Sequence, residues 1–477
     1  MDKMPRKIGL LAVALAVLFF SASCAMPIDG KKPVNSIASA RLLFYIHSTS
    51  NTPPDVRFTI SGISVLSGGR GWVDVSNESI DIGALELVKR QAFLKEAFIE
   101  PDLYSGIKFK VLSATIKGRE GQASLALPKP AGEIVMDIDL KIKTGQSSVI
   151  SIEWDPENSV IGGYQFQPAV TVEPQSPSAR GLMLFVSNSG SDYISVIDRS
   201  LERVIGAVTV GEKPMGMALS SLQDRLYVVN AFSRDISIVD TARLAVIDKI
   251  PLVAGIEPAD VVFMAEAGNQ IDGKLYVTNR SSNDVTVLST GARRIIKSIK
   301  VGTQPSHIAA DALRGEVYVA NERSKDISII SSLDDTVAAT IAVDSRPSGI
   351  AVGNNKIYVL NEGSNRVSII SPALRKVVGT VSLMHAPRRA FWGLGGRLFI
   401  ANTSSDTVTS LNQLDVIART SRAGKGPVGL AGDELRSRLY ITNHKGGTVS
   451  VFDGVGEMVV KELSVGKNPY GAILLDR

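Results

Sequence analysis

The sequence predicts an all-β protein in two folded parts. Three observations carry that expectation. An apolar block ending in asparagine recurs seven times between residues 182 and 477, at nearly constant spacing. The phase of that repeat at the two ends of the segment is complementary. Residues 40–173, which lack the repeat, alternate apolar and polar positions between clusters of turn-forming residues. At 477 residues the chain exceeds one ordinary core, so two or three folded units are expected.

Composition narrows the function classes. The hydrophobic share of 44% is that of a globular protein, and 42 glycines with 6% aromatics suit short strands joined by tight turns. The net charge is +5, of which the first 23 residues carry +2, leaving +3 with both signs interspersed. That is a solubility-level charge and makes nucleic acid an unlikely partner.

The chain opens with Lys3, Arg6 and Lys7, then an unbroken apolar run over residues 8–20. The run suits the core of a signal peptide and is too short to span a bilayer. Ser21-Ala22-Ser23-Cys24 follows, and Cys24 is the single cysteine, so no internal disulfide and no Cys-based metal or haem motif can form. These residues resemble a bacterial lipobox. The resemblance implies a signal peptide over 1–23, lipidation of Cys24 and a polar tether over 24–39. The membrane is then a partner through the N-terminal lipid, since acyl chains contribute about 0.8 kcal/mol per buried CH₂. Ala25 stands where the best-known sorting rule places an Asp for inner-membrane retention. The expected location is therefore the envelope, with the outer membrane favoured and the protein facing the periplasm or cell surface.

Strands are predicted over 40–46, 56–66, 71–75, 107–116, 134–142, 148–154 and 164–172, with a short helical piece over 85–98. Period-two alternation points to an antiparallel β-sandwich over 40–173. Its landmarks are Gly71-Trp72, Ile80-Asp81-Ile82, Tyr104-Ser105-Gly106-Ile107-Lys108-Phe109, Val149-Ile150-Ser151-Ile152-Glu153-Trp154-Asp155 and Tyr164-Gln165-Phe166-Gln167-Pro168. In that order they resemble an uncharacterised β-sandwich family of bacterial and archaeal lipoproteins, which implies no activity. Asp137 and Asp139 read as a solvated strand face. Glu173-Pro174-Gln175-Ser176-Pro177-Ser178 reads as a stiff polar hinge, with 174–181 as the boundary segment.

The repeated asparagines are Asn188, Asn230, Asn279, Asn321, Asn361, Asn402 and Asn443, spaced 42, 49, 42, 40, 41 and 41 residues apart. Prolines 214, 258, 305, 347, 387, 427 and 469 each open a further short strand. Four strands per roughly 40 residues is the period of a β-propeller blade. The first unit begins at its second strand near Leu182, and the last ends on a surplus strand after Pro469. A seven-bladed ring over 182–477, closed by the C-terminal strand, explains both ends and removes exposed edges. Tyr276-Val277-Thr278-Asn279 resembles the signature of the YVTN-type propeller repeat, which implies the same fold and is neutral about function. The seven asparagines read as structural, each bonding the backbone of the turn that follows.

Two positions after each proline stand Gly216, Asp260, His307, Gly349, Arg389, Gly429 and Gly471. Asp260, His307 and Arg389 are the candidate ligand-binding residues at the channel mouth, with the glycines expected to open space. Phe391 and Trp392 are candidates to wall that space. Basic residues recur on the same face, among them Lys213, Arg280, Arg346, Arg388 and Lys467, partly offset by Glu322 and Glu362. There is no Walker loop, G-x-S-x-G elbow, H-E-x-x-H or C-x-x-C-H motif. No catalytic residue, metal site or cofactor is assigned. The reading is a lipid-anchored binding or scaffold protein that presents a propeller face to a protein or glycan partner. The alternative is a propeller enzyme of lactonase or quinoprotein-like type working at the channel mouth.

Overall fold

The computed structural model describes residues 40–127, 132–175, 181–266, 269–383 and 385–476. The signal peptide, Cys24, the tether and residues 176–180 of the boundary segment lie outside the described residues. The described residues form one compact unit.

The N-terminal part is built from β1 (Ala40–Ser48), β2 (Val56–Ser67), β3 (Gly71–Gly83), β4 (Arg90–Ile99), β5 (Leu103–Gly118), β6 (Gly121–Ser124), β7 (Glu133–Lys141), β8 (Ser147–Asp155), β9 (Val160–Ile161), β10 (Gln165–Phe166) and β11 (Ala169–Gln175). One sheet runs β3-β2-β5-β6 with β7 also on β5, and the facing strands run β11-β8-β1-β4. Between them lie Leu42, Phe44, Phe58, Ile107, Ile150 and Trp154 in one core. Three expectations are corrected here. Residues 85–98 form no α-helix: a single 3-10 turn, Ala84–Leu87, leads into β4. The strands are not all antiparallel, because β1 pairs with β8 in parallel. The hinge starts later than Glu173, since β11 continues through Gln175.

β1 explains much of this. Its run Ala40-Arg41-Leu42-Leu43-Phe44-Tyr45-Ile46 is buried at every position, as expected of a strand covered on both faces. Leu42, Phe44 and Ile46 face the N-terminal core, whereas Leu43 and Tyr45 join a second core with Leu184, Val186, Tyr193 and Tyr440 from the repeats.

The repeats begin with β12 (Met183–Asn188), β13 (Tyr193–Asp198) and β14 (Arg203–Thr209). Four-stranded antiparallel sheets follow, each opened by a proline strand, and Pro469–Leu475 pairs with β12 as the fourth strand of the first sheet (Phe185↔Ile473, Leu184↔Leu474). The innermost strands touch in a closed cycle. This is the β-propeller fold. Its local rule is a left-handed residue four positions after each asparagine, at Asp192, Arg234, Asn283, Lys325, Asn365, Asp406 and Gly447. That residue supplies the bulge of a tight hairpin whose twist suits the flanking strands.

Arg199 locks the closure. Its buried guanidinium donates to Asp433 at 2.6 Å, to the Leu475 carbonyl at 3.0 Å and to Asp476. The N-terminal sheet clasps the same seam. β4 pairs in parallel with the outer strand Met458–Ser464, and Gln91 accepts from the Val204 N–H of β14 at 2.7 Å. Arg41 donates to the Ser191 carbonyl at 2.9 Å and lies over the Tyr193 ring.

Removing residues 469–477 would strip a strand whose Tyr470 and Leu475 are buried and whose Ile473 and Leu474 pack in two different cores. At about 1.5–3 kcal/mol per large apolar side chain, the loss approaches the roughly 5–15 kcal/mol of a typical fold. Because Leu43 and Tyr45 share a core with the repeats, the N-terminal part should lose stability in the same calorimetric transition. An unchanged transition in the truncated chain refutes the closure.

His47 adds a pH dependence. It is buried on the seam side of β1, 3.4 Å from Glu153, with Arg203 and Lys461 near. Burial, and then the Arg203 guanidinium, hold its pKa down at about 4 against the pull of Glu153. Unfolded histidine titrates near 6.5. Between those values the unfolded chain binds a proton that the native chain excludes, so this contribution is complete above about pH 6.5 and is lost as pH falls toward about 4. The melting temperature of His47→Asn should fall less than that of the parent across this window. Parallel pH profiles would show that His47 does not set the slope.

Candidate functional site

The three candidate residues meet. Asp260, His307 and Arg389 lie on the innermost strands Pro258–Glu266, Pro305–Asp311 and Pro387–Gly393. Asp260 and His307 are neighbours, whereas Arg389 stands three inner strands on from Asp260 and reaches across the axis. Arg389 Nη1 donates to Asp260 Oδ2 at 2.7 Å, and Nη2 donates to the Tyr470 hydroxyl at 3.0 Å. The guanidinium also lies over the Tyr470 ring, 5.2 Å from its centroid. His307 Nε2 is 3.8 Å from Asp260 Oδ2, while its buried Nδ1 has no hydrogen-bond partner among the described residues.

All three side chains are nearly buried. Burial pushes the Asp260 carboxyl up, opposed by the Arg389 guanidinium and by the N–H groups of Val261 and Ile308. Burial works against the Arg389 cation, but Asp260 and Tyr470 outweigh it and hold its pKa above the usual range. A carboxyl and a guanidinium bonded to each other at 2.7 Å across the axis are engaged with each other first. Chemically, the arrangement is a bolt.

The glycines expected to open space do the opposite. A Cβ at Gly216 would collide with Asp260, one at Gly349 with the Arg388 carbonyl, and one at Gly429 with the Tyr470 carbonyl. These positions are glycine because the next inner strand passes too close for a side chain. Phe391 and Trp392 do not wall the mouth either. Trp392 stacks on Tyr358 and occupies the space over Gly353, and Phe391 occupies that over Gly432. Both fill gaps between adjacent sheets.

Each of the seven asparagines is buried and donates through Nδ2 to a hydroxyl seven residues on, from Ser195, Ser237, Thr286, Ser328, Ser368, Thr409 and Ser450, at 2.8–3.0 Å. The expected bond to the following turn is thus mainly a bond to the next strand. Further hydroxyls stitch each sheet to the inner strand of the next: Ser348 donates to the Pro387 carbonyl at 2.9 Å, Thr442 to the Tyr470 carbonyl at 2.8 Å, and Ser187 to the Met215 carbonyl at 2.6 Å.

The basic residues on this face are partly spent on acids. Arg280, Glu322, Arg346, Glu362 and Arg388 form an alternating chain of ion pairs with gaps of 2.8, 3.1, 3.7 and 3.2 Å. A cavity of about 470 Å³ lies elsewhere, between the outer strands Ile417–Arg422 and Met458–Ser464, and none of the trio lines it. Sequence reasoning missed Tyr470 and the Arg199–Asp433 pair. The hydroxyl seven residues after each asparagine was legible.

No family model matches this sequence, and no curated protein matches it. Solved structures do. A functionally unknown protein from Desulfotomaculum acetoxidans has a TM-score of 0.54 at 14% identity, covering 62% of this chain and 99% of that one. Hydrazine synthase of Kuenenia stuttgartiensis has a TM-score of 0.51 at 19% identity, covering 58% of this chain and 93% of that one. At these identities the likeness shows the propeller fold alone.

Arg389→Met would leave Asp260 buried without its partner, which should cost about 3–5 kcal/mol. Adding Asp260→Asn should recover much of that loss in urea unfolding. If the two changes are additive, the residues are not coupled and the bolt does not exist.

Proposed function

We propose that the chain is a lipid-anchored envelope scaffold, acylated at Cys24, whose seven-bladed propeller is braced by an N-terminal β-sandwich and docks a protein partner. The observation that carries this is on the turns opposite the Arg389 bolt. Leu313, Leu333, Leu374, Leu414, Leu435 and Val455 stand 61–98% exposed at hairpin tips. They belong to four consecutive sheets, within residues 305–464, and therefore form an arc on one face. Arg314, Asp334, Arg375, Asp415 and Arg436 lie between them. Scattered exposed leucines are ordinary, but an apolar arc on one face is what a binding surface presents. Charges of both signs between the tips fit a protein surface and not a polyanion.

The repeat phase and the asparagine spacing support seven blades of YVTN type. The apolar run and Ser21-Ala22-Ser23-Cys24 support the anchor. An enzyme at the channel mouth would have to open the Arg389–Asp260 pair first, and likeness to hydrazine synthase reaches only the fold.

A photo-crosslinking residue at position 313 or 435 should give one discrete adduct in intact envelopes, whereas position 213 on the other face should give none. Leu313→Ser with Leu435→Ser should abolish an adduct formed from position 374. Cys24→Ala should move the chain out of the membrane fraction. Equal labelling from both faces, or adducts indifferent to the serine changes, overturns the docking face.

A further inference from the structure

The outer face of the β3-β2-β5-β7 sheet carries a feature that neither the propeller nor the seam uses. Strand register places residues in rows across this sheet, and directly paired residues project to the same side. One row is Trp72, Leu66, Gly106 and Asp137, and the next is Asp74, Ser64, Lys108 and Val135. Both project away from the core, because their neighbours Val65, Ile107 and Phe109 are the residues buried in it.

Gly106 decides how Trp72 lies. A Cβ there would sit 3.2 Å from the Trp72 ring atom Cη2 and 3.3 Å from Leu66 Cβ. Glycine therefore leaves room for the indole to extend across Leu66 onto β5. Trp72 remains 38% exposed, and Lys108 Nζ stands 4.9 Å from its ring centroid. Asp74 accepts from Ser64 Oγ at 2.8 Å, and Val135 and Asp137 are exposed on the far strand. With strands about 4.8 Å apart, the row from Trp72 to Asp137 spans roughly 14 Å, room for about two sugar rings.

We propose that this sheet face is a binding site for a neutral or amino-sugar glycan, with one sugar ring stacked on Trp72. The face of a pyranose is a plane of slightly positive C–H groups, which suits the negative face of an indole. Its hydroxyls radiate from the ring edge, where Asp137 and Asp74 accept hydrogen bonds and Lys108 donates them. The ammonium of Lys108 occupies the stacking position on a flexible stem and moves to the rim when the ring arrives. Two carboxylates in these rows against one lysine, with Asp139 exposed two residues along β7, disfavour uronates and sulfated glycans. This site is separate from the leucine arc and stands or falls independently of it.

The mature full-length chain offers a direct readout. Of its three tryptophans, Trp154 is fully buried and Trp392 is stacked on Tyr358, so Trp72 dominates quenching by acrylamide. Titration with a β-1,4-linked N-acetylglucosamine hexamer and with cellohexaose should shift tryptophan emission to the blue and protect it from acrylamide, with polygalacturonate as the acidic control. Trp72→Ala should weaken binding of the responding hexamer at least tenfold by calorimetry, Trp72→Phe less, and Asp137→Asn severalfold. Gly106→Val should also weaken it by displacing the indole, and Leu313→Ser should bind as the parent does. Unchanged melting temperatures separate lost binding from lost folding. The proposal is overturned if neither neutral hexamer protects Trp72 at millimolar concentration, if Trp72→Ala binds like the parent, or if polygalacturonate binds best.

Discussion

The molecule depends on the pairing of two strands almost 290 residues apart. β12 lies at the start of the repeats and Pro469–Leu475 at the end of the chain, and their ladder completes a sheet that neither could form alone. An open array would expose an unpaired strand edge at each end. Closure by one strand has a cost, because the entire loop must be ordered before that ladder forms. Buried polar contacts reinforce the closure. Arg199 bonds the last sheet through Asp433 and the closing strand through the Leu475 carbonyl. β4 covers the outer edge of Met458–Ser464, and Gln91 bonds the edge strand β14. The N-terminal sheets therefore keep a core of their own and also clasp the seam through Leu43 and Tyr45.

The same economy governs the axis. Inner strands that approach closely enough to exclude a Cβ leave little room at the centre, and Arg389, Asp260 and Tyr470 occupy it. Removing charges from water is expensive unless each finds a partner, and these groups find one another. A functional surface is then left to positions that packing does not constrain, which are the hairpin tips and the outer sheet face. Both are places where a leucine or a tryptophan contributes little to the fold.

Much of the architecture was legible because it repeats. Asn188 to Asn443 fixed the period, the prolines placed the inner strands, and the surplus strand at the end implied closure. Residues 85–98 misled because Leu85, Val88 and Ala92 fall at helical spacing, whereas β4 is stabilised by partners on two sides that local sequence does not reveal. The channel positions were found from their place in the repeat, but the glycines among them mark close approach of the next strand and not open space. Gly216 reads as open space until the neighbouring backbone is seen, and the length of Arg389 does not say where its guanidinium ends. Arg199 and Asp433 are ordinary turn residues in sequence, and only the ring brings them together.

Repeats built on one pattern raise a further problem, since any sheet could pack beside any other. Charge at the junctions opposes this. Lys274 pairs with Asp335 of the next sheet at 2.8 Å, Lys356 with Asp415 at 2.5 Å and Arg397 with Glu457 at 2.6 Å. Between the first two of these, the polarity reverses, and Glu316 pairs with Arg375 at 3.1 Å. If the sheet holding Glu316 were skipped, Lys274 would face Arg375, two cations in a half-buried site. Each pair alone contributes little stability, but like charges brought together disfavour the wrong neighbour. Around the seam the pattern continues, with Arg438 of the last full sheet 3.8 Å from Glu202 of the first. The ring thus closes on a junction of the same polarity as the three cation-first pairs above, and the reversed junctions, Glu316–Arg375 and Asp248–Arg293, distinguish sheets that hydrophobic packing alone would treat as equivalent.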